Sequence, residues 1–221
     1  MKTIRVGVIG SGGIAQAVHF PGWQKTEGVE IVACCDTREG TAREAARKFN
    51  VPQVYTDFKQ MLREQKLDAV SVCTPNAFHM APTLAALSAG VHVLCEKPIA
   101  MNAVQGRAMC AAAKKARRLL MIGLNNRFNG GSQALKRFVE AGELGKVYYG
   151  RVQALRRRGV PGWGVFIRKD MSGGGPLADI GVHLLDLALW LMGHPEPVTV
   201  SGNAYCNFGK RSNIFAPWGE W

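Results

Sequence analysis

The chain has 221 residues, 47% hydrophobic and 20% charged, enough to bury a sizeable core as one large domain or two small ones. Its formal net charge of +12 suits an anionic ligand, because a positive field concentrates phosphate-bearing molecules. The densest basic runs, Lys114-Lys115-Ala116-Arg117-Arg118 and Arg156-Arg157-Arg158, lack interleaved aromatics, and no zinc-finger or RNP pattern occurs, so no nucleic-acid partner is expected.

In chain order, short β-branched runs alternate with longer helical patterns, the mark of parallel βαβ units. Residues 4–9 predict a strand, 14–25 a helix, 29–36 a second strand, and 39–49 and 58–64 two helices. A third strand over 68–74, a helix over 77–89, a fourth strand over 91–95, a helix over 103–116 and a fifth strand over 119–123 follow. Apolar runs such as Ala69-Val70-Ser71-Val72-Cys73 predict a sheet covered on both faces, and hence an α/β doubly wound fold. After Gly123 the pattern changes to a helix over 133–141, a longer strand over 147–155, a loop over 156–175 rich in Gly, Arg and aromatics, a helix over 177–192 and a strand over 198–206. Two domains are expected, 1–123 and 124–221.

The six cysteines, at 34, 35, 73, 95, 110 and 206, are not spaced as a CxxC site and read as reduced, mostly buried thiols of a cytoplasmic protein. Gly10-Ser11-Gly12-Gly13 interrupts the apolar core that a secretory signal would need. The apolar stretch 184–192 is short and contains Asp186, so no membrane span is expected.

Gly10-Ser11-Gly12-Gly13-Ile14-Ala15 follows a strand and opens a helix, fitting G-x-G-x-x-A. Gly10 and Gly12 permit a tight turn and close approach of a pyrophosphate, Ala15 lets the helix pack near the strand, and the amides around Gly13 and Ile14 face the phosphates. Asp36 ends the second strand, where a carboxylate accepts from ribose hydroxyls and repels a 2′-phosphate. Arg38, two residues on, offers a guanidinium to a phosphate; NAD is favoured, with NADP left open.

Thr74-Pro75-Asn76 ends the third strand at the carboxyl edge, where doubly wound sheets place ligands. Asn76 also suits a helix cap, and His79, one turn on, reads by itself as a packed or exposed histidine. Glu96 and Lys97 follow the fourth strand at the same edge, and Pro98 restricts Lys97 to extended backbone. Asp179 and His183 are four residues apart and share a helix face, with Asp186 three further along it. Gly173-Gly174-Gly175-Pro176 just ahead lets backbone approach a ligand, and Asp186 is better read as pairing with a neighbour. A zinc site at Asp179 and His183 lacks a third ligand, so no metal is expected.

With these residues in order, including Glu96-Lys97-Pro98 and Asp179-x-x-x-His183, the chain resembles the Gfo/Idh/MocA family of oxidoreductases over most of residues 3–205. The resemblance implies a Rossmann domain followed by an α+β domain with a mostly antiparallel sheet, often used to form homo-oligomers. It also implies action on a sugar, sugar derivative or cyclic polyol. Carried over, Lys97, Asp179 and His183 are the catalytic set, and Thr74, Asn76, His79, Glu96 and Lys97 join Gly10, Gly12, Gly13, Ile14, Asp36 and Arg38 around the cofactor. Arg127, in Asn125-Asn126-Arg127-Phe128, matches a substrate-contacting position, and Trp163 stands in the glycine-rich loop to stack on a ligand or to anchor the loop. Family members are usually longer, so a chain stopping at Trp221 reads as truncated, with strand edges and apolar area left open to association. Hydride transfer from a secondary hydroxyl to nicotinamide is the leading expectation; a non-catalytic dinucleotide-binding or regulatory protein and a NAD-dependent glycosidase stay open.

Overall fold

The structure is a computed structural model that describes residues 3–155, 160–162, 164–205, 207 and 215–216. It divides into two compact units, Met1–Gly123 and Leu124–Trp221.

In the first unit six parallel strands stand in the order β3-β2-β1-β4-β5-β6. They are β1 Ile4–Ile9, β2 Val29–Cys35, β3 Gln53–Tyr55, β4 Ala69–Val72, β5 His92–Cys95 and β6 Leu120–Ile122. The order reverses beside β1, so the crevice outside the carboxyl ends of β1 and β4 is the place where such a sheet takes a ligand. Both faces are covered, and the period of two along a strand explains how. Val8 and Cys34 enter one apolar cluster with Ala15, Phe20, Ala45 and Phe49, while Ile9 and Cys35 enter the other with Val70, Val72, Met61, Leu87 and Met109. Phe20 and Phe49 stack at 4.7 Å between ring centroids.

The helices that cover this sheet are α1 Phe20–Gln24, α2 Glu39–Phe49, α3 Phe58–Glu64, α4 Met80–Ser88 and α5 Ala103–Ala116. Asp57 and Asn102 cap α3 and α5 by accepting from the backbone N–H of Lys59 and Gln105. The helix expected over 14–25 is not uniform: Ala15–His19 is a π turn leading into α1. It lies directly ahead of Pro21, which has no N–H for the carbonyl of Ala17. β3 is a strand that the residue pattern does not announce. Three residues are too few for a period to show, and their pairing with Ala33, Cys34 and Cys35 of β2 creates the strand.

The second unit contains α6 Gly130–Glu140, the short α7 Lys169–Ser172, a π turn Leu177–Gly181 and α8 Val182–Leu191. Asn129 caps α6 by accepting from the Ser132 N–H. Strand pairing in this unit, among the described residues, is confined to two two-residue segments, β7 Val160–Pro161 and β8 Phe215–Ala216, which run parallel. The strands expected over 147–155 and 198–206 are not formed over the residues described there, which follow irregular backbone. An alternating pattern becomes a strand only when a neighbour satisfies its N–H and C=O groups, and these segments have no such ladder; Tyr148, Tyr149, Leu155, Val198 and Val200 are accordingly exposed. No helix of the described residues is long and apolar enough to cross a membrane.

Candidate functional site

β1 ends at Ile9, and Gly10 turns the chain with φ +88°. A Cβ on Gly10 would stand 2.7 Å from the carbonyl carbon and oxygen of Cys73 and 2.8 Å from the Thr74 nitrogen, so the turn is pressed against the end of β4. The packing is tied on both sides, because the Gly10 N–H donates to the Cys35 carbonyl at 2.8 Å and the Cys73 N–H to the Ile9 carbonyl at 2.7 Å. Gly12 and Gly13 differ. A Cβ on either would meet nothing within 4 Å, so protein packing does not require glycine there. Open space over these two residues, at the start of a helix, is what close approach of an anionic group needs.

Asp36 is fastened into this turn. Its Oδ2 accepts from the Ser11 N–H and its Oδ1 from the Arg38 N–H, both at 3.0 Å, and only 11% of its side chain is exposed. The Arg38 guanidinium lies 3.8 Å from the same carboxylate and is 77% exposed. Thr74, next to Gly10, carries a buried hydroxyl that finds no hydrogen-bond partner among the described residues. An orphaned hydroxyl at this edge fits a ligand polar group better than it fits the protein alone. Asn76 opens a one-turn 3-10 segment, Asn76–Phe78, ahead of α4.

His79 and Glu96, expected around the cofactor, are both engaged by groups of the protein. His79 is fully buried, with Nδ1 2.7 Å from the Pro98 carbonyl oxygen and Nε2 2.8 Å from that of Thr74. Each ring nitrogen faces a backbone carbonyl, with one N–H of the neutral ring to donate to one of the two, so the ring packs between the end of β4 and the Lys97-Pro98 segment, whose peptide bond is cis. Burial pushes this ring below the ordinary histidine range; the two carbonyls and Glu96 pull it back in part. Its direction could not be read from spacing, because the acceptors come from Thr74 and Pro98.

Glu96 points its Oε1 at His19 Nε2, 2.9 Å away, and accepts the Lys97 N–H on Oε2 at 3.1 Å. Burial alone would raise its carboxyl, but the hydrogen bond and charge of His19, with the Lys97 N–H and ammonium, outweigh it and hold it below the ordinary range. A carboxyl held low when folded contributes stability that is complete above its unfolded value, about 4.3, and lost as the pH falls through the folded one. Thermal melts of wild type and Glu96→Gln are therefore expected to differ near neutrality and to converge as the pH falls below the ordinary carboxylate range. A gap of constant size across that range would dissociate Glu96 from acid stability. His19, Ser71 and Trp23, which complete this network, were not evident as site residues. The available signal was Ser71, a hydroxyl inside a strand covered on both faces, which had to have a partner.

In the second unit Asp179 lies within the π turn and His183 in the first turn of α8, the kind of widened turn that recurs at functional sites. Arg127, expected at substrate, is already engaged. Its Nε donates to Asp186 Oδ2 at 2.6 Å and its Nη2 to Asp186 Oδ1, a two-pronged pair that raises the guanidinium pKa further. The Trp190 ring lies 5.9 Å from this guanidinium and 5.2 Å from the Lys136 ammonium, which also donates to the Trp190 carbonyl. Arg127 thus joins the residues ahead of α6 to α8, and Asp186 has the basic partner expected of it. Asp186→Asn should lower the denaturation midpoint of this unit by the equivalent of about 1–3 kcal/mol, the pair being partly buried; an unshifted urea transition would show the pair to be dispensable. Trp163 and residues 156–159 lie outside the described residues.

A six-stranded parallel sheet with a glycine turn at β1, an acid closing β2 and a lysine after β5 defines a dinucleotide-fold oxidoreductase domain. Residues 4–124 match the family model described as "Oxidoreductase family, NAD-binding Rossmann fold", and residues 132–211 match the GFO/IDH/MocA C-terminal domain. The chain belongs to the Gfo/Idh/MocA oxidoreductase family. It is 43% identical over 218 residues to D-glucoside 3-dehydrogenase of Escherichia coli, a match covering 99% of this chain and 62% of that protein. Against myo-inositol 2-dehydrogenase of Thermotoga maritima it is 33% identical over 214 residues, covering 96% of this chain and 62% of the relative. Among solved structures, an oxidoreductase domain protein from Kribbella flavida superimposes with a TM-score of 0.81 at 31% identity, covering 87% of this chain and 55% of the other. Myo-inositol 2-dehydrogenase from Lactobacillus plantarum does so with a TM-score of 0.77 at 27% identity, covering 87% and 57%. The chain therefore spans about three fifths of these curated relatives.

Proposed function

We propose that the protein binds NAD at the carboxyl edge of its parallel sheet and oxidises a secondary hydroxyl of a sugar, sugar derivative or cyclic polyol. The observation that carries the reading is the contrast within one turn: Gly10 is required by the protein's own packing, whereas the space over Gly12 and Gly13 is not filled by the protein. The relatives named for a glucoside and for myo-inositol supply the substrate class.

When bound, the nicotinamide supplies the hydride acceptor. Asp36, held by two backbone donors, presents its carboxylate to ribose hydroxyls and disfavours a 2′-phosphate, which is the basis for NAD over NADP. Lys97 donates to and polarises the reacting hydroxyl, His183 takes its proton, and Asp179 orients the imidazole. Asp36→Ala is expected to weaken NAD about tenfold and to narrow its advantage over NADP, since the exposed Arg38 guanidinium remains; titration of both nucleotides checks it. Equal loss for the two would separate Asp36 from the choice.

The same reading makes the protein a cytoplasmic homo-oligomer with no nucleic-acid or membrane partner. The free, buried thiols of Cys34, Cys35, Cys73 and Cys95 agree with a reducing compartment, and the exposed apolar side chains of 147–155 and 198–205 with self-association. The deciding experiment is thermal shift with NAD and NADP, followed by methyl glucosides and myo-inositol monitored for reduced nicotinamide. A rise in melting temperature with NAD and accumulation of NADH are expected. No shift with either nucleotide would sink the proposal, a shift without NADH would leave a binding protein, and aglycone release without net NADH would identify a glycosidase.

A further inference from the structure

We infer that His19, acting through Glu96, is a positioning residue that sets Lys97 relative to the first helix. This rests on Lys97 being the catalytic group proposed above. Trp23 Nε1 can only donate, and it does so to Ser71 Oγ at 2.8 Å. Ser71 Oγ also lies 3.1 Å from His19 Nδ1, and on the other side of the ring Nε2 donates to the carboxylate oxygen Oε1 of Glu96 at 2.9 Å. Glu96 Oε2 accepts the Lys97 N–H at 3.1 Å. The contacts run unbroken from Trp23 through Ser71, His19 and Glu96 to Lys97, and the middle of the chain is shielded from water: Ser71 is fully buried, and the side chains of His19 and Glu96 are 5% and 14% exposed.

The helical segment that carries His19 begins at the glycine turn, so one element has the turn at its start and, at His19, the contact to the Glu96 carboxylate that accepts the Lys97 N–H. The π turn Ala15–His19 ends at His19 and fixes where that ring projects. Two further residues border the segment. His79 meets the carbonyl of Pro98, the residue after Lys97, and Gly123 leaves space for the Glu96 carboxylate, since a Cβ there would stand 3.1 Å from Glu96 Oε1. An ordinary core network would satisfy polar groups without addressing a reactive side chain; this one terminates on the backbone of Lys97.

The test uses the full chain with NAD and whichever of methyl glucoside or myo-inositol turns over. His19→Leu is expected to lower kcat about tenfold to a hundredfold, the scale of a misplaced reacting group, with the hydroxyl KM and the NAD dissociation constant within about threefold of wild type. His19→Gln, which keeps a donor toward Glu96, should recover most of kcat, and Glu96→Gln should reproduce the loss if the leucine variant fails to fold. Hydrogen exchange at the Lys97 amide supplies a readout independent of turnover and is expected to quicken in His19→Leu and slow again in His19→Gln. An unchanged kcat in a folded His19→Leu protein, a loss confined to KM, or a glutamine variant no better than leucine would overturn the inference. A wild type that binds no NAD ends the functional reading instead, and is told apart because the exchange pattern still reports the network.

Discussion

Lys97→Met is expected to reduce turnover by at least about a hundredfold while NAD affinity changes less than about threefold. Methionine keeps an unbranched side chain of similar reach and removes only the ammonium. The backbone N–H of residue 97 still donates to Glu96 Oε2, and Pro98 is still met by His79, so the segment keeps its course. Any loss then belongs to the missing cation, which the proposal makes the donor to the reacting hydroxyl. Steady-state kinetics with a parallel nucleotide titration reads both quantities. If turnover is near normal, proton and charge handling must be reassigned to His183 and Asp179; if NAD binding collapses with turnover, Lys97 is holding cofactor.

Much of the first unit was legible because its signals are local. A strand covered on both faces shows as a near-continuous apolar run, as in Ala69-Val70-Ser71-Val72, and a glycine turn followed by an acid some twenty residues on is a pattern with a mechanism. The same logic explains what was not legible. Gln53–Tyr55 exists by its pairing with β2, and no window of three residues carries a period. The ring direction of His79 depends on two carbonyls at 74 and 98, and the engagement of Arg127 depends on Asp186, 59 residues away. Strands over 147–155 and 198–206 were expected from their residue types, but residue type does not supply the neighbour that would complete a ladder. Spacing placed His79 and Glu96 at the ligand edge but not their partners: the His79 ring faces the carbonyls of Thr74 and Pro98, and the Glu96 carboxylate meets His19 and the Lys97 N–H.

The glycine turn offers the sharpest separation of structural from functional need. Gly10→Ala is expected to cost about 2–5 kcal/mol, combining the left-handed backbone penalty at φ +88° with overpacking. The new methyl would stand 2.7–2.8 Å from Cys73 and Thr74 backbone, which cannot retreat because the Cys73 N–H is bonded to Ile9 and the Gly10 N–H to Cys35. Gly12→Ala places its methyl against nothing within 4 Å and at no positive φ, so stability should stay within about 0.5 kcal/mol of wild type. Its methyl does occupy the space over the backbone that a pyrophosphate must approach, and NAD affinity is expected to fall at least about tenfold. Chemical denaturation and nucleotide titration of the two variants together give the comparison. A destabilised Gly10→Ala beside a stable Gly12→Ala that has lost NAD assigns the first glycine to the fold and the second to the ligand. A stable Gly12→Ala that binds NAD normally would mean that the open space over the turn is not where the pyrophosphate lies.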